Sequence, residues 1–505
     1  MLLELRGLTK KFGEFVADDA IDLVVTPGQI HAVLGENGAG KSTLMNMLYG
    51  ILEPSEGQIL IDGAPVRFRS PGDAIAAGIG MVHQHFKLVG PFSVADNVQL
   101  GREHAKAGIV DRAAARRAVD EVSRRYGLAL DPDAICENLP VGVQQRVEIV
   151  KALSGHTELL ILDEPTAVLT PPEVAELLAI MRNLADSGMS IIFISHKLKE
   201  VKAVADTITV IRRGKVVAEA SPGDSEAELA AAMVGREVTL TVDKSPAEPG
   251  ATALAITDLT VLDERGLPVL DGLNLTVRAG EIVGLAGVEG NGQTELARAI
   301  LGTAAPAGGS IDMLGTEITR WHPAERIEAG LGYIPEDRAR DGVIGDFTVA
   351  ENIVLNQYRE APLSRRGVVD DTAVREIAEK AIAEFDIRMQ GPAEHVSALS
   401  GGNQQKVVIA REFSRPRKVI VAAQPTRGVD IGAIEFIHAR LVAERDNGTA
   451  VLLISAELDE ILALSDRVAV IYNGRIVGEV TPDRPRSEVG QLMIGHLPDS
   501  SPENA

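Results

Sequence analysis

A short segment near the N-terminus has the residue types needed to bind a polyphosphate. Residues 35–43 read GENGAGKST and match the pattern G-x-x-x-x-G-K-[ST]. Its glycines let the backbone approach phosphates and turn N–H groups toward them, at the positive end of a helix. Lys41 is predicted to reach the outer phosphates, and the Ser42 hydroxyl to bind Mg²⁺. The predicted nucleoside triphosphate site comprises Gly35, Glu36, Asn37, Gly38, Ala39, Gly40, Lys41, Ser42 and Thr43.

The sequence on either side of this loop provides the context that the pattern requires. An apolar run, Ile30–Leu34, precedes it, and a helix-prone run, Leu44–Leu48, follows it. The alternative is a glycine-rich turn without a ligand, because so short a pattern recurs by chance. Strand, loop and helix in this order favour the nucleotide site.

Two carboxylates stand at the end of another apolar run, Leu159–Pro165, which reads LLILDEP. In an ATPase with a phosphate loop, one such acid belongs to the Mg²⁺ shell and the next polarises the attacking water. We therefore assign Asp163 to the metal and Glu164 to general-base catalysis. The alternative is a strand that runs into an acidic turn.

Two further predicted strands end in polar side chains that suit a γ-phosphate. Gln84 ends IGMVHQ and is predicted to contact both the γ-phosphate and the metal. His196 ends IIFISH and is predicted to contact the γ-phosphate. An H-x-H metal pair of His83 and His85 is the alternative around Gln84, but no third ligand is suggested nearby.

An aromatic residue upstream of the loop is a candidate for contact with the base. The ring of Phe12 is predicted to stack on adenine, which contributes about 1–3 kcal/mol. A packed core aromatic is the alternative for Phe12.

Composition limits the classes of protein to which the chain can belong. With 505 residues, 45% of them hydrophobic, it is expected to form more than one domain. The net charge of −22 argues against nucleic acid as a partner. The single cysteine, Cys136, excludes an internal disulfide and suggests a reducing cytoplasm. No apolar run is long enough to span a bilayer and no secretion signal is recognisable, so any role at a membrane requires partner proteins.

The order of these segments recurs in the second half of the chain. Gly35 and Gly287 open equivalent loops, and Leu139 and Leu399 open equivalent segments further on. Self-similarity of this kind indicates two homologous domains. We predict a first domain at 1–236, a linker at 237–251, a second domain at 252–497 and a disordered tail at 498–505.

The second copy contains the segment Leu399–Gln405, which reads LSGGNQQ. Ser400 and the amides of Gly401 and Gly402 offer donors for a γ-phosphate at the positive end of a helix. With the motifs above, this signature segment makes the chain resemble the ATP-binding subunits of ABC transporters over nearly its whole length. The resemblance implies an α/β fold with two tandem ABC-type P-loop ATPase domains, each a mixed sheet core with an α-helical subdomain.

The resemblance also implies head-to-tail pairing, in which each ATP lies between one domain's loop and the other's signature segment. Each copy departs from the family pattern in its own way. The second copy lacks its lysine, acids, histidine and glutamine, which are replaced by Gln293, Ala423, Gln424, Ala456 and Glu336, and it has no aromatic residue to match Phe12. The first copy has a poor signature segment, with Pro140 and Val141, and has Thr170 opposite Asp430. Head-to-tail pairing therefore predicts one competent composite site and one without the groups for hydrolysis.

The asymmetric pair resembles the importers for simple sugars and nucleosides. Segments 80–89 (GMVHQHFKLV) and 422–438 (AAQPTRGVDIGAIEFIH) look like the nucleoside branch, although Pro140 stands where that branch usually has serine. The implied function is ATP hydrolysis, with ATP and Mg²⁺ as cofactors, to energise import of a nucleoside or related small solute.

The resemblance implies two membrane permease subunits and, indirectly, an extracytoplasmic solute-binding protein as partners. It places the chain peripherally on the cytoplasmic face of the membrane. Residues 85–97 and 337–352 are the predicted docking surfaces. A simple-sugar importer ATPase is the close alternative, and a soluble twin-domain ATPase acting on ribosomes or nucleic acid is the more distant one. An ATP-binding scaffold without hydrolysis is disfavoured by Glu164 and His196.

Overall fold

The chain forms two compact units, Met1–Val238 and Thr239–Ala505. The structure is a computed structural model and describes residues 1–83, 86–103, 105–106, 109–166, 169, 171–237, 242, 244–389 and 391–495. Both units combine β-sheets with helices, and this confirms the predicted α/β fold class.

The first unit has two principal sheets and a group of helices inserted between their strands. Its strands are β1 (Leu3–Phe12), β2 (Phe15–Val25), β3 (Ile30–Leu34), β4 (Glu56–Ile61), β5 (Ala64–Val66), β6 (Ile79–Val82), β7 (Ala105–Lys106), β8 (Ile109–Val110), β9 (Leu159–Asp163), β10 (Ser190–Ile194), β11 (Thr207–Arg212) and β12 (Lys215–Ala220). Its helices are α1 (Lys41–Leu48), α2 (Pro71–Ala76), α3 (Val94–Gln99), α4 (Arg112–Tyr126), α5 (Val141–Leu153), α6 (Pro171–Asp186), α7 (Leu198–Val204) and α8 (Glu226–Val234).

The central sheet brings the predicted site segments to one edge. Its order is β12-β11-β3-β10-β9-β6, with only the edge strand β12 antiparallel among the described strands. Strands β3, β9 and β10 are buried along their whole lengths, as expected for apolar runs covered on both faces. The register pairs Ile194 of β10 with both Val33 of β3 and Asp163 of β9, so the carboxyl ends of these three strands lie side by side at one edge of the sheet. Ligands of such sheets bind beyond the carboxyl ends of the strands.

The other sheet covers the phosphate-loop helix from outside. Its order is β2-β1-β4-β5 and it is antiparallel throughout. Inward residues such as Leu5 and Ile21 share one core with Leu44 of α1 and Ile192 of β10. This core fixes the direction in which α1 leaves the loop.

A helical region follows β6. Helix α3 packs against α4 and α5, and it begins at Ser93, whose hydroxyl accepts a hydrogen bond from Asp96 N at 3.1 Å. Asn97 is fully buried and bonds in both directions to the backbone of Val89. The segment that leaves β6 is thereby tied to the helices.

The second unit repeats this order. Its strands are β13 (Thr252–Leu262), β14 (Pro268–Arg278), β15 (Ile282–Ala286), β16 (Gly308–Met313), β17 (Thr316–Glu317), β18 (Leu331–Ile334), β19 (Ser364–Arg365), β20 (Val368–Val369), β21 (Val419–Ala423), β22 (Ala450–Ser455), β23 (Arg467–Tyr472) and β24 (Arg475–Val480). Its helices are α9 (Gln293–Leu301), α10 (Pro323–Glu328), α11 (Val349–Val354), α12 (Asp371–Glu384), α13 (Gly401–Phe413), α14 (Ile431–Asp446), α15 (Leu458–Leu464) and α16 (Arg486–Met493).

The sheet orders of the second unit are those of the first. The central sheet runs β24-β23-β15-β22-β21-β18 and the outer sheet runs β14-β13-β16-β17, while α11, α12 and α13 form the helical region. Within the predicted linker, Lys244 Nζ donates a hydrogen bond to Leu464 O at 3.0 Å. The predicted tail, 498–505, lies outside the described residues.

Candidate nucleotide site

The phosphate loop of the first unit joins β3 to α1, as the sequence predicts. Gly40 has a φ of 112° and immediately precedes the helix, so only glycine suits this left-handed turn. Lys41 is 6% exposed, and its Nζ donates to Gly35 O at 2.7 Å and to Glu36 O at 2.9 Å. The ammonium group therefore lies inside the turn that would surround the phosphates.

Several of the other loop residues are exposed to solvent. Asn37, Gly38 and Ser42 are exposed, whereas Ala39 packs into the core. Thr43, half-buried, follows Ser42 in the first turn of α1. Ser42 is thus an exposed residue in the first turn of α1.

The two predicted acids lie at the carboxyl end of β9. Asp163 is 8% exposed, and burial, together with the charge of Glu164, raises its pKa to about 6 while Lys41 opposes the shift. Burial likewise lowers the pKa of Lys41, against the charges of Glu164, Asp163 and Glu36. The cation and both acids are therefore electrostatic neighbours, and a hydroxyl with a carboxylate is a donor set that suits Mg²⁺.

Glu164 has an unusual backbone and a defined partner. Its φ is +46°, in the left-handed region, and its N–H donates to Ile194 O at 3.0 Å. Its Oε1 lies 3.1 Å from His196 Nδ1. Burial acts to raise the pKa of Glu164, but the hydrogen bond and charge of His196, with Lys41 and Lys197, hold it below the usual value. The carboxylate is thus kept ionised, as a general base requires.

The structure locates one of the two remaining predicted residues. Phe12 ends β1 opposite Phe15 and is 49% exposed, which does not fit a packed core aromatic. Lys10 Nζ lies 5.3 Å from the centre of its ring. Gln84, predicted to be catalytic and a metal ligand, and His85 lie outside the described residues.

The loop of the second unit has the same backbone turn but different chemistry. Gly292 has a φ of 106° before α9, and Gln293 Nε2 donates to Val288 O at 3.0 Å, where Lys41 makes the corresponding contact. Thr294 Oγ1 donates to Glu336 Oε2 at 3.2 Å. Glu336 also forms an ion pair with Arg427. This loop therefore has a neutral glutamine in place of the lysine and lies beside an ion pair of Glu336 and Arg427.

The strand-end acids of the first unit have neutral counterparts in the second. Gln424 adopts a φ of 48°, close to that of Glu164, and its N–H donates to Ile454 O at 2.7 Å. Its Oε1 accepts from Ala456 N at 3.3 Å. The fold keeps the turn, whereas the ionisable groups are missing.

The signature segment of the second unit begins α13. Ser400 is the residue before the helix, and Asn403 Nδ2 donates to its Oγ at 3.0 Å. A Cβ on Gly402 would lie 3.0 Å from Asp430 Oδ2, and a Cβ on Gly401 would overlap the guanidinium of Arg338. A side chain at either glycine would therefore require Arg338 or Asp430 to shift.

Arg338 was not identified from the sequence. Its Nη1 donates to Arg427 O at 2.8 Å, and burial lowers its pKa. It lies two residues after Glu336, and no motif marks it. Only the packing of the turn at Arg338–Gly342 against α13 brings it to Gly401.

In the corresponding segment of the first unit the serine and the first glycine are replaced, whereas Gly142 stands at the position of Gly402. Pro140 precedes α5 and has no N–H to donate. Val141 is 42% exposed, and a Cβ on Gly142 would overlap Glu173. Thr170 lies outside the described residues.

Comparisons with known proteins place the chain in a family. The model of the family described as ABC transporter matches residues 19–167 and 270–427. The nucleoside import ATP-binding protein NupA of Lactococcus lactis subsp. cremoris is 50% identical and aligns over 98% of each chain. The guanosine import ATP-binding protein NupO of Bacillus subtilis is 49% identical over 98% of this chain and 97% of its own.

The chain is also similar to a sugar import subunit and to a protein that acts with ribosomes. The glucose import ATP-binding protein TsgD13 of Haloferax volcanii is 45% identical over 98% of this chain and 96% of its own. A solved structure of archaeal ribosome recycling factor aABCE1, in complex with ribosomal stalk protein aP1, aligns with a TM-score of 0.64 at 19% identity, over 94% of this chain and 90% of its own. The latter shows a shared fold, and a fold alone does not define a function. Because the family match covers both units and the relatives align over nearly their whole length, the chain belongs to the ABC transporter family, as an ATPase with two fused ATP-binding domains.

Proposed function

We propose that the chain hydrolyses ATP to energise import of a nucleoside by a membrane transporter. The arrangement of Lys41, Asp163 and the Glu164–His196 pair around the first unit's loop is the observation that carries the proposal. The names of two relatives that are about half identical, one a nucleoside and one a guanosine import protein, support the solute class.

The side chains of the first unit divide the chemistry between them. Glu164 accepts a proton from the attacking water, and His196 holds its carboxylate in place. Lys41 leaves the loop carbonyls to bind the outer phosphates, and Gln84 contacts the γ-phosphate. Phe12 offers an exposed ring for stacking on adenine.

Mg²⁺ is the metal that the donor set fits. Ser42, Asp163 and Gln84 would hold it, with oxygen atoms only. When bound, Mg²⁺ supplies positive charge that offsets the negative charge on the phosphoryl oxygens.

The second unit contributes the signature segment to the first unit's ATP. Ser400, with the amides of Gly401 and Gly402, donates hydrogen bonds to the γ-phosphate at the positive end of α13. The distribution of the substitutions supports this pairing. Every group needed for hydrolysis is kept in one of the two composite sites, and every loss falls in the other.

The partners follow from the proposed function. The structure contains no helix among the described residues that is long and apolar enough to cross a bilayer. Two permease subunits would form the path for the solute, and an extracytoplasmic binding protein would deliver it. The chain would then lie peripherally on the cytoplasmic face of the membrane.

Reconstitution tests the proposal. The chain, its permeases and its binding protein are assembled in liposomes, and ATP hydrolysis and solute uptake are measured with guanosine, with ribose and with glucose. Stimulation by guanosine, lost in Glu164→Gln, is expected. Stimulation by ribose or glucose alone would favour the sugar importer, for which the 45% identical glucose import relative is the supporting observation. The absence of stimulation by any solute, with activity on ribosomes, would favour the soluble ATPase.

A further inference from the structure

A buried carboxyl group lies directly beneath the phosphate loop of the first unit. Asp18, on β2, is 0% exposed, and neither of its carboxyl oxygens has a hydrogen-bond partner in the described part of the chain. A Cβ on Gly40 would overlap Asp18 Oδ1, so the carboxyl group packs against the last glycine of the loop. A buried polar group without hydrogen bonds destabilises the fold. Asp18 is therefore costly to keep at this position.

The cations on the strands and the helix that pack against β2 are bound to other groups. Strand β2 packs against β1, β10, β12 and α1, and β10 carries no charged residue. Lys10 Nζ on β1 donates to Glu53 O at 2.7 Å, Lys41 Nζ on α1 donates to the loop carbonyls, and Lys215 Nζ on β12 lies 3.0 Å from Asp19 Oδ2. The other charged residues of β1 also have partners: Glu4 pairs with Arg6, and Lys11 pairs with Glu56. The remaining charged residue of β12 is Glu219, which is exposed.

The protonation of Asp18 responds to pH near neutrality. Burial without a compensating charge raises its pKa to about 7. The carboxyl group is therefore neutral in mildly acidic solution and becomes ionised in mildly alkaline solution, while remaining against the loop.

The second unit shows that the fold does not require an acid here. Leu270 on β14 occupies the equivalent position of the repeat and is 0% exposed. Its Cδ2 lies 2.6 Å from where a Cβ on Gly292 would be, which is the contact that Asp18 makes with Gly40. An apolar side chain thus fills this space in the unit that lacks the groups for hydrolysis, and a carboxyl group fills it in the unit that has them.

We propose that Asp18 is a positioning residue of the catalytic site that supports the phosphate loop in its protonated form and so couples nucleotide binding to proton uptake. An ionised Asp18 would place a negative charge beneath the loop that binds phosphates, in surroundings of low dielectric constant where repulsion is strong. The neutral group supports the loop without that repulsion. The inference rests on the proposed ATP site in the first unit.

Nucleotide affinity and the protonation of Asp18 are thermodynamically linked. Bound phosphates raise the pKa of Asp18, and protonation of Asp18 raises nucleotide affinity by the same factor. Affinity is therefore highest below the pKa of the free protein and falls as the pH rises through it. Each unit by which bound phosphates raise this pKa corresponds to about a tenfold change in affinity.

Calorimetric titration of the full-length chain with MgADP, at about pH 6 and about pH 8 in two buffers of different ionisation enthalpy, tests this coupling. The variants are Asp18→Asn, an isosteric neutral group, and Asp18→Leu, which copies Leu270. Asp19→Asn, a change to the adjacent acid, is the matched control. MgADP titrates in the same way for every variant, so differences between variants report on the protein.

We expect the wild type and Asp19→Asn to take up protons on binding and to lose about 3- to 10-fold in affinity between these pH values. Asp18→Asn should lose less affinity than the wild type between these pH values and take up fewer protons, because the pH dependence that comes from Asp163 and from MgADP is common to every variant. Should Asp18→Leu fail to fold, Asp18→Asn alone decides. An unchanged pH profile and proton uptake in Asp18→Asn would overturn this inference and leave the proposed function intact. If neither the wild type nor any of the variants bound MgADP, both this inference and the proposed function would be overturned.

Discussion

Glu164 is the residue on which hydrolysis is predicted to depend most. Its carboxylate is held ionised and lies 3.1 Å from His196 Nδ1. We expect Glu164→Gln to lower the turnover of the assembled transporter by on the order of 10²–10⁴-fold, because a positioned base contributes that much. ATP binding should persist, because Lys41 and the loop are unchanged. Steady-state ATPase activity and nucleotide binding, measured on the same preparation, check this.

The second unit offers a matched control for that change. Gln424 has nearly the backbone conformation of Glu164, so Gln424→Glu introduces a carboxylate at the equivalent turn. It should add no activity, because Gln293 and Ala423 still replace the lysine and the metal-binding acid. Near-normal turnover in Glu164→Gln, or a gain in Gln424→Glu, would show that the base lies elsewhere.

Asp18 also makes the stability of the first unit depend on pH. Its pKa is about 7 in the folded chain and about 4 in an unfolded one, so the folded state binds more protons between these values. Stability therefore falls as the pH rises from about 4 to about 7, by up to about 4 kcal/mol in total, and is level above that range. Asp18→Asn should be more stable than the wild type at neutral pH and nearly equal to it at about pH 4. Thermal unfolding across this range checks the slope, and an identical slope in the variant would contradict it.

The sequence predicted the residues whose roles depend on spacing within a motif. Three predicted groups lie at the carboxyl edge of the central sheet, namely the loop of residues 35–43, the acids at the end of β9 and His196 after β10. Their position could be predicted because fully apolar runs indicate buried parallel strands, and the carboxyl ends of parallel strands lie at one edge of the sheet. Their catalytic roles stay predictions. Asp18 and Arg338 could not be predicted, because each matters through a contact with a glycine distant in sequence.

At the scale of elements, the segment after β6 connects the sheet to the helical region. Lys87 N donates to Glu148 Oε1 of α5 at 2.5 Å, Lys151 Nζ donates to Lys87 O at 2.8 Å, and Val89 N donates to Asn97 Oδ1 of α3 at 2.7 Å. In the second unit, Ile344 and Asn352 make the corresponding pair of bonds. These hydrogen bonds hold residues 87–89 against α3 and α5.

We predict that this segment is part of the permease docking surface. Lys87 is exposed beside the half-buried Phe86, so Phe86→Ala with Lys87→Glu should reduce co-purification with the permeases and lower transport by about tenfold or more, as expected when a central interface residue is lost. The basal ATP affinity of the isolated chain should not change. Arg67→Glu, a change to another exposed cation, after β5, is the control. If the double variant associated and transported normally, the docking surface would be wrongly placed.

At the scale of the whole molecule, the two units have diverged in opposite directions. The first keeps Lys41, Asp163 and Glu164 and has lost the signature segment, whereas the second has kept Ser400–Gly402 and lost its acids. Independent decay of two equivalent domains would scatter such losses over both composite sites. Their separation into one complete and one depleted set is the expected result if selection acts on a single hydrolytic site shared by both units.

A matched pair of changes tests this asymmetry. Ser400→Ala, or Gly401→Val, which would drive a side chain into Arg338, should lower hydrolysis by on the order of 10²-fold, as loss of a donor to a developing charge does. Pro140→Ser with Val141→Gly should scarcely alter it, because those positions would face Gln293, Ala423 and Gln424, which lack the groups for chemistry. Binding and hydrolysis must be scored separately, since the prediction for the depleted site concerns hydrolysis alone. Wild-type hydrolysis by Ser400→Ala in the full complex would make the head-to-tail arrangement untenable.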